Sequence, residues 1–320
     1  MKGQTMSVVQ PLVPVAISPH RIPLGTKPTY VHLKVADLGR EIAFYRHVLG
    51  FELNWQTGDH AGLGVSSRDL VRLSQIPNGR RYRGVTGLYH FAVLFPNRRE
   101  LARAIARLFA LGWPNYPTDH VMTKATYLDD PEGNTIELYC ESPEDGVFLL
   151  RDGELIAQWA DGRPSNGREP LDLQNLFSHL KPEDNLKETV PPETRIGHFH
   201  LYVADLMTTR HFYHEQLGFD DMGVAQRFQM GMVSVGGYHH HIGYNTWQGV
   251  GAPPPPSNAL GLLYIAFTLD ASNEYQAFER LIVNQSIPFE RWDEGIFLRD
   301  PSNNGILFVD PRVPSSVNVF

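Results

Sequence analysis

The sequence is short of cysteine, of positive charge and of uninterrupted apolar stretches. A single cysteine, Cys140, stands among 320 residues. It has no partner for an internal disulfide and cannot furnish a cysteine-rich zinc site, so a reducing, cytoplasmic setting is expected. No apolar run reaches the roughly 18 residues of a membrane span, and no membrane partner is expected. The apolar patch at residues 8–17 is broken by Pro11 and Pro14, is preceded only by Lys2, and has no clear cleavage site after it. Residues 1–27 therefore read as a loose N-terminal arm and not as a signal peptide. Lys and Arg number 28 against 35 Asp and Glu, a net charge of −7, which argues against a nucleic-acid binder. There is no GxxxxGK[ST] phosphate loop and no GxSxG nucleophile elbow, and Gly236 and Gly237 do not make a dinucleotide fingerprint.

What is present is an ordinary globular composition, 42% hydrophobic and 20% charged, at a length that favours two domains. Its most informative feature is an internal duplication. Residues 32–51, HLKVADLGREIAFYRHVLGF, return at 200–219 as HLYVADLMTTRHFYHEQLGF, without a gap. Residues 87–94, GLYHFAVL, return more weakly at 261–268, and LDDPEGNTIE at 128–137 returns as LRDPSNNGIL at 298–307. Two similar halves, 28–140 and 195–312, are expected, joined by a polar connector at 141–194 with a short helix near 171–180 and followed by a tail at 313–320.

Each half divides again. Val31, Leu33 and Val35 alternate as on a strand, Asp37 suits a helix N-cap, and Ile42, Tyr45 and Leu49 recur at helical spacing before Gly50. Strands follow near 51–56, 61–66 and 69–74. The pattern restarts at residues 88–94 with a helix carrying Leu101, Ile105 and Leu108, ended by Gly112, and closes with strands near 124–128 and 134–140. The expected fold is α+β, four βαβββ modules paired into two similar domains.

Three donors stand on first-half strands, each on the face opposite an apolar stripe: His32, His90 and Glu137. Such residues singly are most often rim or solvated positions, but His32 and His90 hold equivalent places in successive modules. Two imidazoles and a carboxylate form the facial set that suits non-haem Fe(II), with Mn(II) or Zn(II) as other occupants.

The stretches VHLKVADLGREIAFYRHVLGF, LYHFAVL and DDPEGNTIELY resemble the vicinal oxygen chelate superfamily, which includes extradiol dioxygenases, glyoxalase I and the bleomycin and fosfomycin resistance proteins. The similarity is strongest to the two-domain catechol-2,3-dioxygenases, helped by GGYHHHIGYNTW at 236–247 and the Pro-rich loop at 253–256. The resemblance implies His32, His90 and Glu137 as metal ligands. It implies Tyr127, ten residues before Glu137, as the tyrosine near bound substrate, and His120 as a catalytic histidine. It also implies a small aromatic diol and O2 as substrates. In the second half Tyr264 replaces His90 and Leu307 replaces Glu137, so no site is expected there. For His239, His240 and His241 the resemblance implies an acid–base imidazole close to the metal, but the run lies in the half without the ligands, while the first half has Arg68 and Asp69 in the matching segment; filling a vestigial cavity or an interface is the other reading, and His60 is a further acid–base candidate. Three alternatives stay open. A thiol transferase would use Arg68, Arg72 and residues 80–83 as a basic pocket; a glyoxalase I would need a second carboxylate near Val71; a metal-free protein would bind flat drugs. A homo-oligomer would cover sheet edges left by paired modules.

Overall fold

The computed structural model describes residues 14–313, apart from residues 17 and 19. Residues 1–13 of the expected arm and 314–320 of the tail lie outside the described residues. The four expected βαβββ modules are present, opening with strands Lys27–Val35, Gly87–Leu94, Arg195–Tyr202 and Gly261–Thr268. Local chemistry sets their helices. Asp37 accepts from the Arg40 amide ahead of helix Leu38–His47, and Asp205 does the same for Thr208 in the duplicate. Helix Arg98–Leu111 ends at Gly112, whose φ of 64° is the left-handed conformation glycine adopts without strain.

The modules are not paired as two consecutive domains. The structure corrects that expectation: each sheet takes one module from each half. An eight-stranded sheet joins the first and fourth modules, with Lys27–Val35 antiparallel to Gly261–Thr268 at its centre. A nine-stranded sheet joins the second and third, with Gly87–Leu94 antiparallel to Arg195–Tyr202. The reason lies in the edges. The opening strand of each module keeps one side free after pairing within its own module, and the free edges close across the halves.

Alternation on the central strands then separates two environments. Phe91, Val93, Ile136, Leu138, Phe199 and Leu201 point into the main core, where Phe199 meets Phe267 of the other sheet at 5.6 Å between ring centroids. Burying each such ring contributes about 2–3 kcal/mol. His90, Ala92, Glu137, His198 and His200 occupy the alternate positions, facing away from that core.

The connector is more structured than a linker. It forms a hairpin of strands Gly146–Arg151 and Glu154–Trp159, and its helix is shorter than expected, Leu173–Phe177. The hairpin crosses strand Asp220–Ala225 at Gly223, where a Cβ would lie 2.7 Å from the Leu150 Cβ. Glycine is required there both for this approach and for its φ of +112°.

Candidate metal centre and cavity

Register assembles the site. Ala92 lies between Glu137 on one neighbouring strand and His198 on the other, and His90 is two residues along the same face. All three donors are buried, and the methyl group of Ala92 leaves the space between them open. His90 Nε2 is 3.2 Å from His198 Nε2, His198 Nε2 is 3.1 Å from Glu137 Oε2, and His90 Nε2 is 3.2 Å from the same oxygen. Donor atoms bonded at about 2.1 Å to one ion sit roughly 3 Å apart at adjacent positions. The spacing and the two-imidazole, one-carboxylate set therefore fit a first-row divalent metal.

The protonation states agree with that fit. Burial pushes His198 down to about 4, outweighing the neighbouring Glu137, so its ring is neutral at pH 7. Burial would raise Glu137, but hydrogen bonds from His198 and His90 hold it well below the usual carboxylate range. A neutral imidazole and an ionised carboxylate are the forms that bind a metal.

The structure keeps two of the expected ligands together and corrects the third. His32 stands in the eight-stranded sheet, where its Nε2 and Ser74 Oγ are 2.7 Å apart and its ring meets Tyr264 at 4.8 Å. It takes no part in the cluster of His90, Glu137 and His198. The physical reason is the strand pairing: the strand beside His90 comes from the third module, so its histidine, not that of the first, reaches the site. His60 is also remote, with Nδ1 bonded to Ser74. The second half is thus not without a site; it supplies one donor of the shared one.

A cavity of about 580 Å³ opens above the donors, a size ordinary for a small-molecule site. Tyr127 and His120 both line it. The Tyr127 hydroxyl donates to His120 Nε2 at 2.9 Å, while His120 Nδ1 donates to the Gly167 carbonyl at 2.5 Å. That second bond fixes which ring nitrogen is free to accept. Burial lowers the His120 pKa and raises that of Tyr127 well above its ordinary value, the latter reinforced by Glu137.

The histidine run, weighed between an acid–base role and a vestigial cavity or an interface, meets this site, and only His241 is purely structural, bonded to Ser234 and the Val235 amide. His240 packs against His198, ring centroids 4.2 Å apart. Its Nδ1 lies 2.7 Å from His239 Nδ1, and His239 Nε2 lies 3.1 Å from Glu141 Oε1. Glu141 also accepts from Tyr238 at 2.5 Å. Burial would raise Glu141, but His239 and Tyr238 hold it below the usual range. An ionised Glu141 accepts a hydrogen bond from His239 Nε2–H, leaving His239 Nδ1 to accept from His240 Nδ1–H. The chain of bonds leaves Nε2 of His240 with a lone pair.

His200, buried with Nε2 unpartnered among the described residues, lines the cavity, as do Phe148 and Leu155 of the connector hairpin. Arg68, Arg72 and Arg81, from the basic pocket a thiol transferase would use, do not line this cavity. Arg72 is paired with Asp69 and Glu294, Arg68 donates to the Pro192 carbonyl, and Arg81 to Asn134. Among the described residues no helix is long and apolar enough to cross a membrane.

Residues 27–138 match the family model of the glyoxalase/bleomycin resistance protein/dioxygenase superfamily. The chain is 36% identical over 275 residues to a catechol-2,3-dioxygenase of Bacillus subtilis (strain 168), covering 85% of this chain and 93% of that one. A crystal structure of a candidate dioxygenase from Bacillus subtilis superposes with a TM-score of 0.61 at 14% identity, covering 91% of this chain and 86% of that one. Glyoxalase I from Zea mays superposes with a TM-score of 0.52 at 16% identity, covering 89% and 92%.

Proposed function

We propose that this chain, which belongs to the glyoxalase/bleomycin resistance protein/dioxygenase superfamily, is an extradiol dioxygenase that opens the ring of a catechol-type aromatic diol with O2. The observation that carries the reading is the meeting of His90, Glu137 and His198 at 3.1–3.2 Å beneath a cavity walled by aromatic and apolar side chains. The 36% identical relative, a catechol-2,3-dioxygenase, supports it over the thiol-transferase, glyoxalase and drug-binding alternatives.

His90, Glu137 and His198 would hold Fe(II), with Mn(II) or Zn(II) as other occupants of the same donors. When bound, such an ion lowers the pKa of a coordinated hydroxyl and brings diol and O2 together. The protein's own residues do the rest. His240 receives a proton from the diol at Nε2 and returns it later, because Glu141 and His239 fix its other nitrogen as a donor. Tyr127, pinned by His120, presents its hydroxyl beside Glu137, to which it is the cross-strand neighbour. Phe148, Leu155, Met230 and Met232 hold the ring and exclude water. His200 Nε2 offers the diol one further hydrogen-bond partner.

The test is oxygen uptake by anaerobically Fe(II)-loaded protein on adding catechol, with a yellow ring-cleavage product as the optical check. Uptake with colour, dependent on Fe(II), is expected. No uptake across a panel of substituted catechols, with iron demonstrably bound, would overturn the proposal.

A further inference from the structure

We infer that the diol this cavity is built for carries an anionic group, a carboxylate above all, and that Arg168 receives that group at the mouth. The inference rests on the ring-cleavage reading and adds the substrate class to it. Arg168 does not belong to any module; it comes from the connector. The loop carrying it is fixed in three places. The Gly167 carbonyl accepts from His120, the Arg168 amide donates to Asn166 Oδ1 at 2.6 Å, and Ser165 Oγ donates to the Glu169 carboxylate at 3.0 Å. Glu169 is thereby turned onto its own loop. It is not the counter-ion of its neighbour.

The guanidinium of Arg168 lines the cavity 5.8 Å from the centre of the Trp247 ring. Among the described residues its side chain makes no ion pair and no hydrogen bond. Arg227 stands on the same rim, 3.7 Å from Glu154 in a loose exposed pair. Glu137 is the sole carboxylate among the lining residues, and it is a metal donor. A chain with net charge −7 thus keeps a positive mouth on this cavity.

The order of chemistry along the cavity describes a ligand. Metal donors lie at the inner end. Phe148, Leu155 and Met232 on the lining suit an aromatic ring, and the exposed Arg168 carries a planar cation over the Trp247 ring. A guanidinium in that position recognises a carboxylate through paired N–H groups. A plain catechol would leave it unused.

The experiment compares 3-(3,4-dihydroxyphenyl)propionate with its methyl ester, which differs by the charge. Anaerobic binding to the Fe(II)-loaded protein is read by tryptophan fluorescence and calorimetry, and turnover by oxygen uptake. Wild type is expected to bind the acid at least tenfold more tightly than the ester, with the preference shrinking between 50 mM and 500 mM salt. In Arg168→Met the acid-to-ester ratio should fall to near one at unchanged iron content, and Arg168→Lys should retain part of it. Equal binding of acid and ester by wild type, or a preference that survives Arg168→Met, would overturn the inference. An intact, Arg168-dependent binding preference with no oxygen uptake from either compound would leave the anion subsite standing and remove the ring-cleavage reading.

Discussion

Glu41 lies in the first-half helix with no exposed surface, its carboxyl group set against that of Asp130. Burial, then the charges of Asp130 and Glu132, raise its pKa from 4.5 to about 9. The folded protein therefore holds Glu41 neutral at pH 7 while the unfolded chain ionises it. The sign follows: Glu41 contributes its full stability below about pH 4.5, and that contribution is lost as pH rises towards 9. Each pH unit inside this window costs about 1.4 kcal/mol, so from pH 5 to 7.5 the loss is roughly 3 kcal/mol. Glu41→Gln keeps the shape and removes the titration. Thermal unfolding of both proteins at half-unit steps from pH 5 to 8 reads the effect of Glu41 together with that of Asp130, its coupled neighbour. The variant's melting temperature should gain on wild type by roughly 5 °C across that range. Parallel curves would refute the reasoning. The duplicate half supplies a built-in comparison: Tyr213 donates to Asp300 as Tyr45 does to Asp130, but the position of Glu41 is taken by Thr209, which donates to the Asp205 carbonyl.

Two further outcomes bear on the site. His198→Ala should lose stoichiometric iron and at least 10³-fold of turnover, whereas His32→Ala should keep its iron and lose about 2 kcal/mol of stability to the cavity beside Ser74 and Tyr264; metal analysis with melting curves reads both, and the reverse pattern would return His32 to the metal centre. Glu141→Gln should lower kcat roughly 10–100-fold at unchanged iron content. A kcat matching wild type would remove Glu141 from the machinery.

The modules, their N-caps and their glycine stops were legible because each depends on residues within about one turn or one strand. His90 and Glu137 were legible for a related reason: both belong to one module, and the parallel pairing of its first and last strands is fixed inside that module. His198 was not, because its place depends on which distant strand meets the free edge of Gly87–Leu94. A signal did exist. The duplication aligns His198 with Tyr30, so the halves differ at that position, and the imidazole stands in the half whose opening strand joins the second module. Reading the halves as separate domains hid it, and made the histidine run look misplaced. The connector hairpin also had a local mark: Asp152 and Gly153, both at positive φ, form the two-residue turn that this dipeptide favours between strands.

The eight-stranded sheet repeats the geometry of the metal centre without its chemistry. Ala266 lies between Tyr30 and Leu307 as Ala92 lies between His198 and Glu137, with Tyr264 in the place of His90. These side chains pack into one apolar cluster with Phe297, which stacks on Trp292 at 4.0 Å. Arg72, bound to Asp69, Glu294 and the Tyr30 hydroxyl, closes the remaining space. A second donor set would have brought two imidazoles and a carboxylate into burial, at a desolvation cost that only a bound ion offsets. Aromatic and aliphatic side chains fill the same volume without that cost. The chain also has a single connector, and its hairpin lies against the nine-stranded sheet at Gly223, supplying Phe148, Leu155 and the Arg168 loop to that cleft alone. Among the described residues, four like modules thus place the donor cluster where the hairpin walls the sheet, while the opposite cleft is filled by packing.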